Sequence, residues 1–587
     1  MKQTVYFAAA LLAALPLGAQ TSTWRPVYLG RDGMVAAGHY AAAMAGYRML
    51  AQGGNAVDAA VAASFSSTVV EPSRAGIGGD LFILIYLARS GEVKFINGTG
   101  WSPRRATLEL LRPRGELPIE GPLAPLVPGA VDGLLLAAEK YGRLGKGPLL
   151  APSIELAENG FVVSENLQGV IRNNNARLRP FLSSLGLWFR DGDWVRMGDV
   201  VVQKDLAATF RAIASGGRDA FYKGPVARRI VDFLRPGGGI VEPDDLAEFA
   251  AHEDPPLRIR YKGYDIYGCP PNSHGHVMLQ ALNILEGFDL RGMGHNSAAY
   301  LHHVAEALKL AFADREAFLG DPRFVRDIPM RQLLSKEYAA RRRALIRPDR
   351  AIEGQAPAGD PGALSAAIRT PSYASRPGSE QILRGAAAYP DWIDGYTTYV
   401  AAVDKDRNMV SITSTIWSDF GNCMYVEGVG FFLNNRMALF YLDPAEPNVV
   451  GPRKRPRMTL NPVLVMKDGR PLMVFGTPGG DTMPQSQLQF FLNFAEFGMN
   501  VQQAVEQPYV VSSSFRAARW PHQVGGTLAV SERVSEGARA DLVRRGHQVT
   551  THAAKGVGSV KAILIDPRNG VLMGAAAPAT DSYVIGW

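Results

Sequence analysis

Cysteine is nearly missing: Cys269 and Cys423 are the only two in 587 residues. That excludes a disulfide-built scaffold and leaves open whether the two pair or stay as free thiols. Histidine is also scarce, at 10, and no GxSxG elbow occurs, which argues against a Ser/His/Asp hydrolase. No Cys/His cluster has zinc spacing, and neither HExxH nor a calcium-loop pattern is found, so no metal is expected. "GTGWSP", "GIGGD" and "GVGSV" lack the strand and helix context of a phosphate or dinucleotide loop and read as turns. Beyond the first twenty residues no sustained apolar run is long enough to span a bilayer. Charge of one sign is thin: 62 basic against 55 acidic residues give +7. The densest basic patch, Arg341-Arg342-Arg343 with Arg347 and Arg350, has no interleaved aromatics, so no nucleic-acid partner is expected.

What is present suits a large enzyme. The chain is 47% hydrophobic, ample for a sizeable core, and its length is compatible with two to four domains. Residues 1–19 have a basic Lys2, an apolar stretch through Leu17 and the small exit Gly18-Ala19. This pattern predicts a signal peptide, cut near Ala19, and hence a periplasmic or secreted protein.

Helical spacing from Ala42 to Leu50 stops at Gly53-Gly54, and Asn55 can cap a second, alanine-rich helix from Ala56 to about Val69. "LFILIYLA" is a continuous apolar strand that pairs with "EVKFIN" across the "RSGE" turn. A strand buried on both faces belongs to a layered fold with helices outside the sheets. Residues 130–340 read mostly helical. From about Arg347 to Tyr396 the chain is loaded with Pro, Gly, Ala and Ser, which predicts a flexible loop of functional purpose. Order returns at Thr397, where "YVAAV" and "MVSITST" flank the hairpin signal "DKDRN".

A cut between Tyr396 and Thr397 gives that abrupt boundary a meaning. Thr397 then carries a free α-amine beside its own hydroxyl. An α-amine has a reference pKa of roughly 7.7–8.0, so it can serve as a base near neutrality. One residue supplies nucleophile and base. An ordinary strand threonine is the competing reading.

Eight stretches, "GGNAVDAAVAA", "VVEPSRAGIGGD", "VPGAVDG", "HHVAEALKLAFADR", "TTYVAAVDKDRN", "GVGFFLNN", "GPRKRP" and "GTPGGD", occur in order from about residue 33 to the C-terminus. Together they resemble the γ-glutamyltransferase (glutathione hydrolase) family of N-terminal-nucleophile hydrolases. The resemblance implies an α+β fold, a four-layer αββα sandwich, made as one precursor that cuts itself before Thr397. Residues 20–396 would form the large subunit, with 347–396 as the pre-cleavage segment, and 397–587 the small catalytic subunit. Thr398 is the fallback nucleophile. Thr415 matches a second threonine whose hydroxyl contacts the nucleophile's amine. Gly479 and Gly480 match the oxyanion-hole donors. The implied reaction is acyl transfer from a small amide or γ-glutamyl-like donor to water or an amino-acid or peptide acceptor, without a cofactor.

The resemblance fails at the substrate's glutamyl end. An expected arginine is replaced around Thr99, an asparagine by Trp417, an acidic or amide residue by Arg436 and an aspartate by Leu439, while a serine pair aligns near Met458-Thr459. Such a set cannot hold a zwitterion and predicts a different acyl group. Arg436 could grip a carboxylate or be a solvated loop residue. Trp417 could wall the pocket or belong to the core. Asp481 could join the altered pocket or cap the next helix. His274 reads as a turn residue. "LNNR" and "GGD" resemble a divergent branch that includes oxamate amidohydrolase and cephalosporin-acylase-like members. A standard glutathione hydrolase and a catalytically silent binder of small amides or peptides are the alternatives.

Overall fold

The computed structural model describes residues 23–361, 397–553 and 558–587. The leader expected over 1–19 and the stretch 362–396, Tyr396 included, lie outside the described residues.

Fourteen strands build two seven-stranded sheets. In chain order they are β1 (Tyr28–Gly30), β2 (Met34–Ala37), β3 (Asp80–Leu87), β4 (Glu92–Gly98), β5 (His252–Asp254), β6 (Leu257–Tyr261), β7 (Tyr264–Gly268), β8 (Thr398–Val403), β9 (Met409–Thr415), β10 (Val463–Lys467), β11 (Arg470–Gly476), β12 (Lys561–Ile565), β13 (Leu572–Ala576) and β14 (Tyr583–Gly586). The first sheet runs β14-β2-β8-β9-β3-β4-β5 and the second β1-β13-β12-β11-β10-β7-β6. All pairings within them are antiparallel.

Period-two alternation sorts each strand's side chains between two cores. In β8, Tyr399, Ala401 and Val403 face a core shared with the second sheet. Val400 and Ala402 face the helices outside the first sheet. Those helices include α1 (Tyr40–Ala51), α2 (Ala56–Val70), α3 (Ala130–Tyr141), α4 (Lys146–Asn159) and α5 (Lys204–Tyr222). A third core lies between the second sheet and α6 (His276–Leu285), α7 (Ala298–Phe318) and α8 (Met483–Ala495). Helix, sheet, sheet, helix is the four-layer αββα order implied by the resemblance. The two to four domains that length allowed are instead layers of one stack.

The expected elements near the N-terminus hold. Asn55 caps α2 through a full capping box with Asp58, and every residue of that helix is buried. Its alanines permit this close packing. β3 and β4 form the expected hairpin, and β8 pairs with β9 from Thr398↔Ser414 to Val403↔Met409. Cys269 and Cys423 are both buried free thiols.

The pre-cleavage segment, expected to be flexible over 347–396, is anchored over its first part. Ile352 N–H donates to Glu306 at 2.7 Å, Arg342 donates to the Pro357 carbonyl at 2.7 Å, and Gly359 N–H donates to Asp314 at 2.8 Å. Its composition suggested a loop, but buried side chains on α7 and on the helix that carries Arg342 supply partners for its backbone. No described helix is long and apolar enough to cross a membrane.

The capping box gives a direct test. Asn55→Ala should cost about 1 kcal/mol of stability, because two N–H groups at the start of a buried helix lose their acceptor. Denaturant melts check this. An unchanged midpoint would show that the cap is dispensable.

Candidate active site

The site lies at one end of the first sheet, where three neighbouring strands bring three polar residues into line. Thr415 pairs with Asp80 across β9 and β3. Thr398 pairs with Ser414, so extending that register by one residue sets Thr397 opposite Thr415. Alternation points Thr397 the same way as Tyr399, into the space between the sheets. Asp80 and Thr415 share that direction, because Phe82, Leu84 and Met409 lie in the inter-sheet core.

Thr398 faces the other way. Its hydroxyl donates to Glu71 Oε2 at 2.9 Å, under the C-terminus of α2. Gly38 makes room for this contact: a Cβ there would lie 2.1 Å from Glu71 Oε1 and 2.4 Å from the Thr398 hydroxyl. Burial raises the Glu71 carboxyl above its usual range, with Lys561 nearby opposing the rise. Burial brings the Lys561 amine down to about 8, partly offset by Glu71. The two adjacent threonines therefore occupy different environments. Thr397 faces the inter-sheet space, while the fallback Thr398 is tied to a carboxylate on the helix side.

The second sheet contributes the loop after β11. Gly479 and Gly480 have φ of 128° and 55°, conformations that L side chains rarely adopt. The turn is closed by Thr482 N–H on the Gly479 carbonyl at 2.9 Å. Among the described residues neither glycine N–H meets a backbone carbonyl. A turn that leaves N–H groups without a backbone carbonyl partner has the local geometry an oxyanion hole requires.

Asp481 does not cap the following helix. One of its oxygens takes a hydrogen bond from the fully buried Arg315 of α7, and the other takes Ala518 N–H at 2.7 Å. The expected substrate-binding role for Asp481 is thus occupied by protein partners, and its carboxylate fixes the glycine loop to α7. His274, read as a turn residue, lies in the connection between β7 and α6. It is fully buried, with Nδ1 3.4 Å from Arg315 and 3.8 Å from Asp481. Burial, then the Arg315 charge, holds its pKa well below the usual histidine value.

Arg436 is the principal surprise. The solvated-loop alternative is excluded, since it is fully buried. Its Nε donates to Asp80 Oδ2 at 3.2 Å, and its guanidinium lies 5.0 Å from the centre of the Trp417 ring. Gly100 N–H holds the other Asp80 oxygen at 2.5 Å. Both terminal nitrogens, Nη1 and Nη2, are buried with no hydrogen-bond partner among the described residues. Burial pulls the Arg436 pKa down to about 10, with Asp80 opposing, so the group stays cationic at neutral pH.

Trp417 joins the two halves of the site. Its backbone N–H donates to the Thr415 hydroxyl at 2.7 Å. Its φ of 84° costs a residue of this kind about 1–3 kcal/mol. The far edge of its ring would lie 3.7 Å from a Cβ on Gly480. So it is both buried packing and a wall between the glycine loop and Arg436.

Thr99 is turned inward. Its hydroxyl donates to Asn97 at 2.6 Å, and its carbonyl accepts from Arg455 at 2.9 Å. Thr459 is buried, and its hydroxyl has no partner among the described residues. Tyr396, on the other side of the expected cut, lies outside the described residues. The sequence reading missed the supports behind the site. Asn434 braces the Gly78 and Leu126 backbone, and Asn435 holds Ser418 N–H and the Ile119 carbonyl. Two adjacent asparagines after an apolar pair were the available signal. Arg315 was hidden inside an ordinary helical pattern.

Behind Asp481, Arg315 also meets Glu316 at 2.6 Å, and Glu316 receives Arg457 at 2.8 Å and the Tyr441 hydroxyl at 2.8 Å. Burial alone would raise the Glu316 carboxyl. Arg457, Arg315 and Arg516 outweigh it and bring it down to about 2, from an ordinary 4.5. A carboxyl depressed in the folded state stabilises it fully above the unfolded pKa, and that contribution disappears as pH falls through the folded one. Stability should therefore drop between about pH 4.5 and 2, and Glu316→Gln should flatten that part of the curve. Denaturant melts across this window check it. A Gln variant with the wild-type acid slope would count against the assignment.

The gamma-glutamyltranspeptidase family model matches residues 42–587. The chain is 33% identical over 571 residues to a glutathione hydrolase proenzyme of Bacillus subtilis, covering 96% of this chain and 93% of the relative. It is 35% identical over 564 residues to an acylase ACY 1 proenzyme of Pseudomonas sp. (strain SE83), covering 94% and 93%. A crystal structure of cephalosporin acylase from Bacillus halodurans superposes with a TM-score of 0.84 at 31% identity, over 98% of this chain and 99% of that one. With a family model matching most of the chain, relatives at 33% and 35% identity over nearly their whole length and the four-layer fold in common, the chain belongs to the gamma-glutamyltranspeptidase family.

Proposed function

We propose that this protein is a self-processing amide hydrolase or acyltransferase with Thr397 as its N-terminal nucleophile, and that its acyl donor carries a carboxylate without the ammonium group of a glutamyl end. Export under the leader at 1–19 is part of the same reading. The observation that carries it is the buried Arg436 side chain, whose guanidinium lies against the Trp417 ring and whose two terminal nitrogens have no hydrogen-bond partner among the described residues.

Peptide cleavage ahead of Thr397 yields an α-amine. That amine takes the Thr397 hydroxyl proton as the oxygen attacks the donor's amide carbonyl. Gly479 and Gly480 N–H groups steady the oxyanion; losing one such donor typically costs about 2.7–4 kcal/mol of barrier. The α-ammonium then gives its proton to the leaving amine, and an acyl ester on Thr397 remains. Water or an acceptor amine, deprotonated by the same α-amine, attacks the ester and restores the hydroxyl. Thr415 lies beside Thr397 and is placed to orient the amine.

Arg436 supports the substrate side. A guanidinium offers two parallel N–H donors that match a carboxylate. Leaving such groups buried and unpaired costs about 1–3 kcal/mol or more, which a ligand carboxylate recovers on binding. The same position repels an ammonium group. Relatives named as acylases and as glutathione hydrolases both occur, so a standard glutathione hydrolase is the second reading.

Purified protein should give two bands on a denaturing gel, the smaller beginning at Thr397, and Thr397→Ala should give one. Glutaryl anilide should be cut in preference to γ-glutamyl anilide. Arg436→Gln should lower kcat/KM for the glutaryl substrate by roughly 10- to 100-fold, the size of a lost charge-assisted bond, and barely affect butyryl anilide. Active protein still intact at residue 397 would end the nucleophile assignment. Preference for γ-glutamyl anilide or glutathione would favour the second reading.

A further inference from the structure

We propose that His302, Glu306 and His547 form a binding site for a divalent transition-metal ion, zinc in the first instance, that ties the large subunit to the small one. The site is separate from the glycine loop and Arg436, and it does not depend on which amide the protein cuts.

His302 and Glu306 stand one turn apart on α7, so both project from the same face. His547 follows α9 (Glu536–Arg544), in the chain that begins at Thr397. One ligand atom from each of the three lies within 4.8 Å of the others, and all three residues are buried. His302 Nδ1 is 2.9 Å from His547 Nε2. Two nitrogens bound to one tetrahedral zinc at about 2.0–2.1 Å stand roughly 3.3 Å apart, so the two histidines need part by only a few tenths of an ångström, and the Glu306 carboxylate closes on the ion from within 4.8 Å.

The surroundings orient these groups as outer partners orient metal ligands. His302 Nε2 is 2.7 Å from the Arg347 carbonyl, which can only accept, so the ring hydrogen lies on Nε2 and the Nδ1 lone pair points inward. Glu306 Oε2 accepts Ile352 N–H at 2.7 Å. Glu306 Oε1 is buried, and the group that faces it is the Lys309 ammonium. To bind, His547 carries its hydrogen on Nδ1 and presents Nε2, a change of tautomer with no net proton gain or loss. Water completes the coordination.

One group competes. Lys309 Nζ lies 2.8 Å from Glu306 Oε1 and also donates to the Ile352 carbonyl at 3.0 Å. An arriving ion displaces the ammonium from the carboxylate, while the carbonyl contact remains. Arg545 adds a second positive charge nearby. Both cations weaken the site, and removing Lys309 should strengthen it.

The test uses the processed two-chain protein, stripped with chelator and titrated with zinc chloride by calorimetry. Metal content is measured after dialysis, and cobalt(II) replaces zinc for a visible spectrum. One zinc per pair of chains is expected, with a four-coordinate cobalt spectrum. His302→Ala and His547→Ala should each weaken binding at least about 10-fold. Lys309→Met should tighten it, and zinc should restore thermal stability which that substitution removes. Should a variant fail to fold, the wild-type titration and cobalt spectrum still decide. Zinc that does not bind to wild type, or binds equally well to the folded histidine variants, would overturn the proposal.

Discussion

The antiparallel register of three strands is the constraint on which the site depends. Thr398↔Ser414 and Thr415↔Asp80 fix which residues stand side by side at the end of the first sheet. A slip of one residue would reverse every side chain. Thr397 would then face α2, and Thr398 the inter-sheet space. The slip is opposed along the whole of β8. It would move Tyr399, Ala401 and Val403 out of the inter-sheet core and put Val400 and Ala402 in their place. The Thr398–Glu71 bond adds a polar lock on the same register. Apolar packing over the strand thereby sets the direction of one hydroxyl at its end.

Buried charge is the second constraint, and it spans the expected cut at residue 397. Arg315, before it, holds Asp481 beside the glycine loop after it. Asp80, before it, holds Arg436 after it. Each ion loses its hydration on burial, and each pair repays this only where further hydrogen bonds complete it. Asp481 is completed by Ala518 N–H, and Asp80 by Gly100 N–H. Of these four ions, Arg436 keeps two nitrogens with no partner among the described residues. The contrast within one site separates structural ion pairs from a group kept for something else. Cutting the chain at residue 397 would leave both pairs in place, since neither uses the bond that breaks.

Much of this was legible in the sequence because it rests on local pattern. The cap at Asn55, the β3–β4 hairpin and the turn at "DKDRN" are written in neighbouring residues, and the structure has all three. What was not legible depends on partners far along the chain. Asp481 looked like a helix cap or a pocket residue because Arg315 lies 166 positions away. His274 looked like a turn residue because its neighbours are Pro, Asn, Ser and Gly, yet α7 and the glycine loop close over it. Residues 347–361 have the composition of a loop, but their backbone is satisfied by groups on α7. His302, Glu306 and His547 match no metal motif because only the fold brings the third to the other two.

The proposed change of specificity follows from where the charges stand. A zwitterionic acyl end needs a cation for its carboxylate and an acceptor for its ammonium. Here Thr99 is committed to Asn97, and Leu439 lies in the apolar inter-sheet core. Arg436 stands where an acceptor was expected and places positive charge there. Discrimination of this kind combines an added attraction with an added repulsion. Asp80 is what makes the exchange tolerable. Without it a buried guanidinium would have no counter-ion to offset its lost hydration. With it Arg436 remains charged at neutral pH, while two of its nitrogens have no partner among the described residues. Trp417 completes the arrangement by covering the guanidinium with a ring face, which favours a cation and excludes solvent. On the proposed reading, selectivity comes through one cation whose partners among the described residues satisfy only part of it.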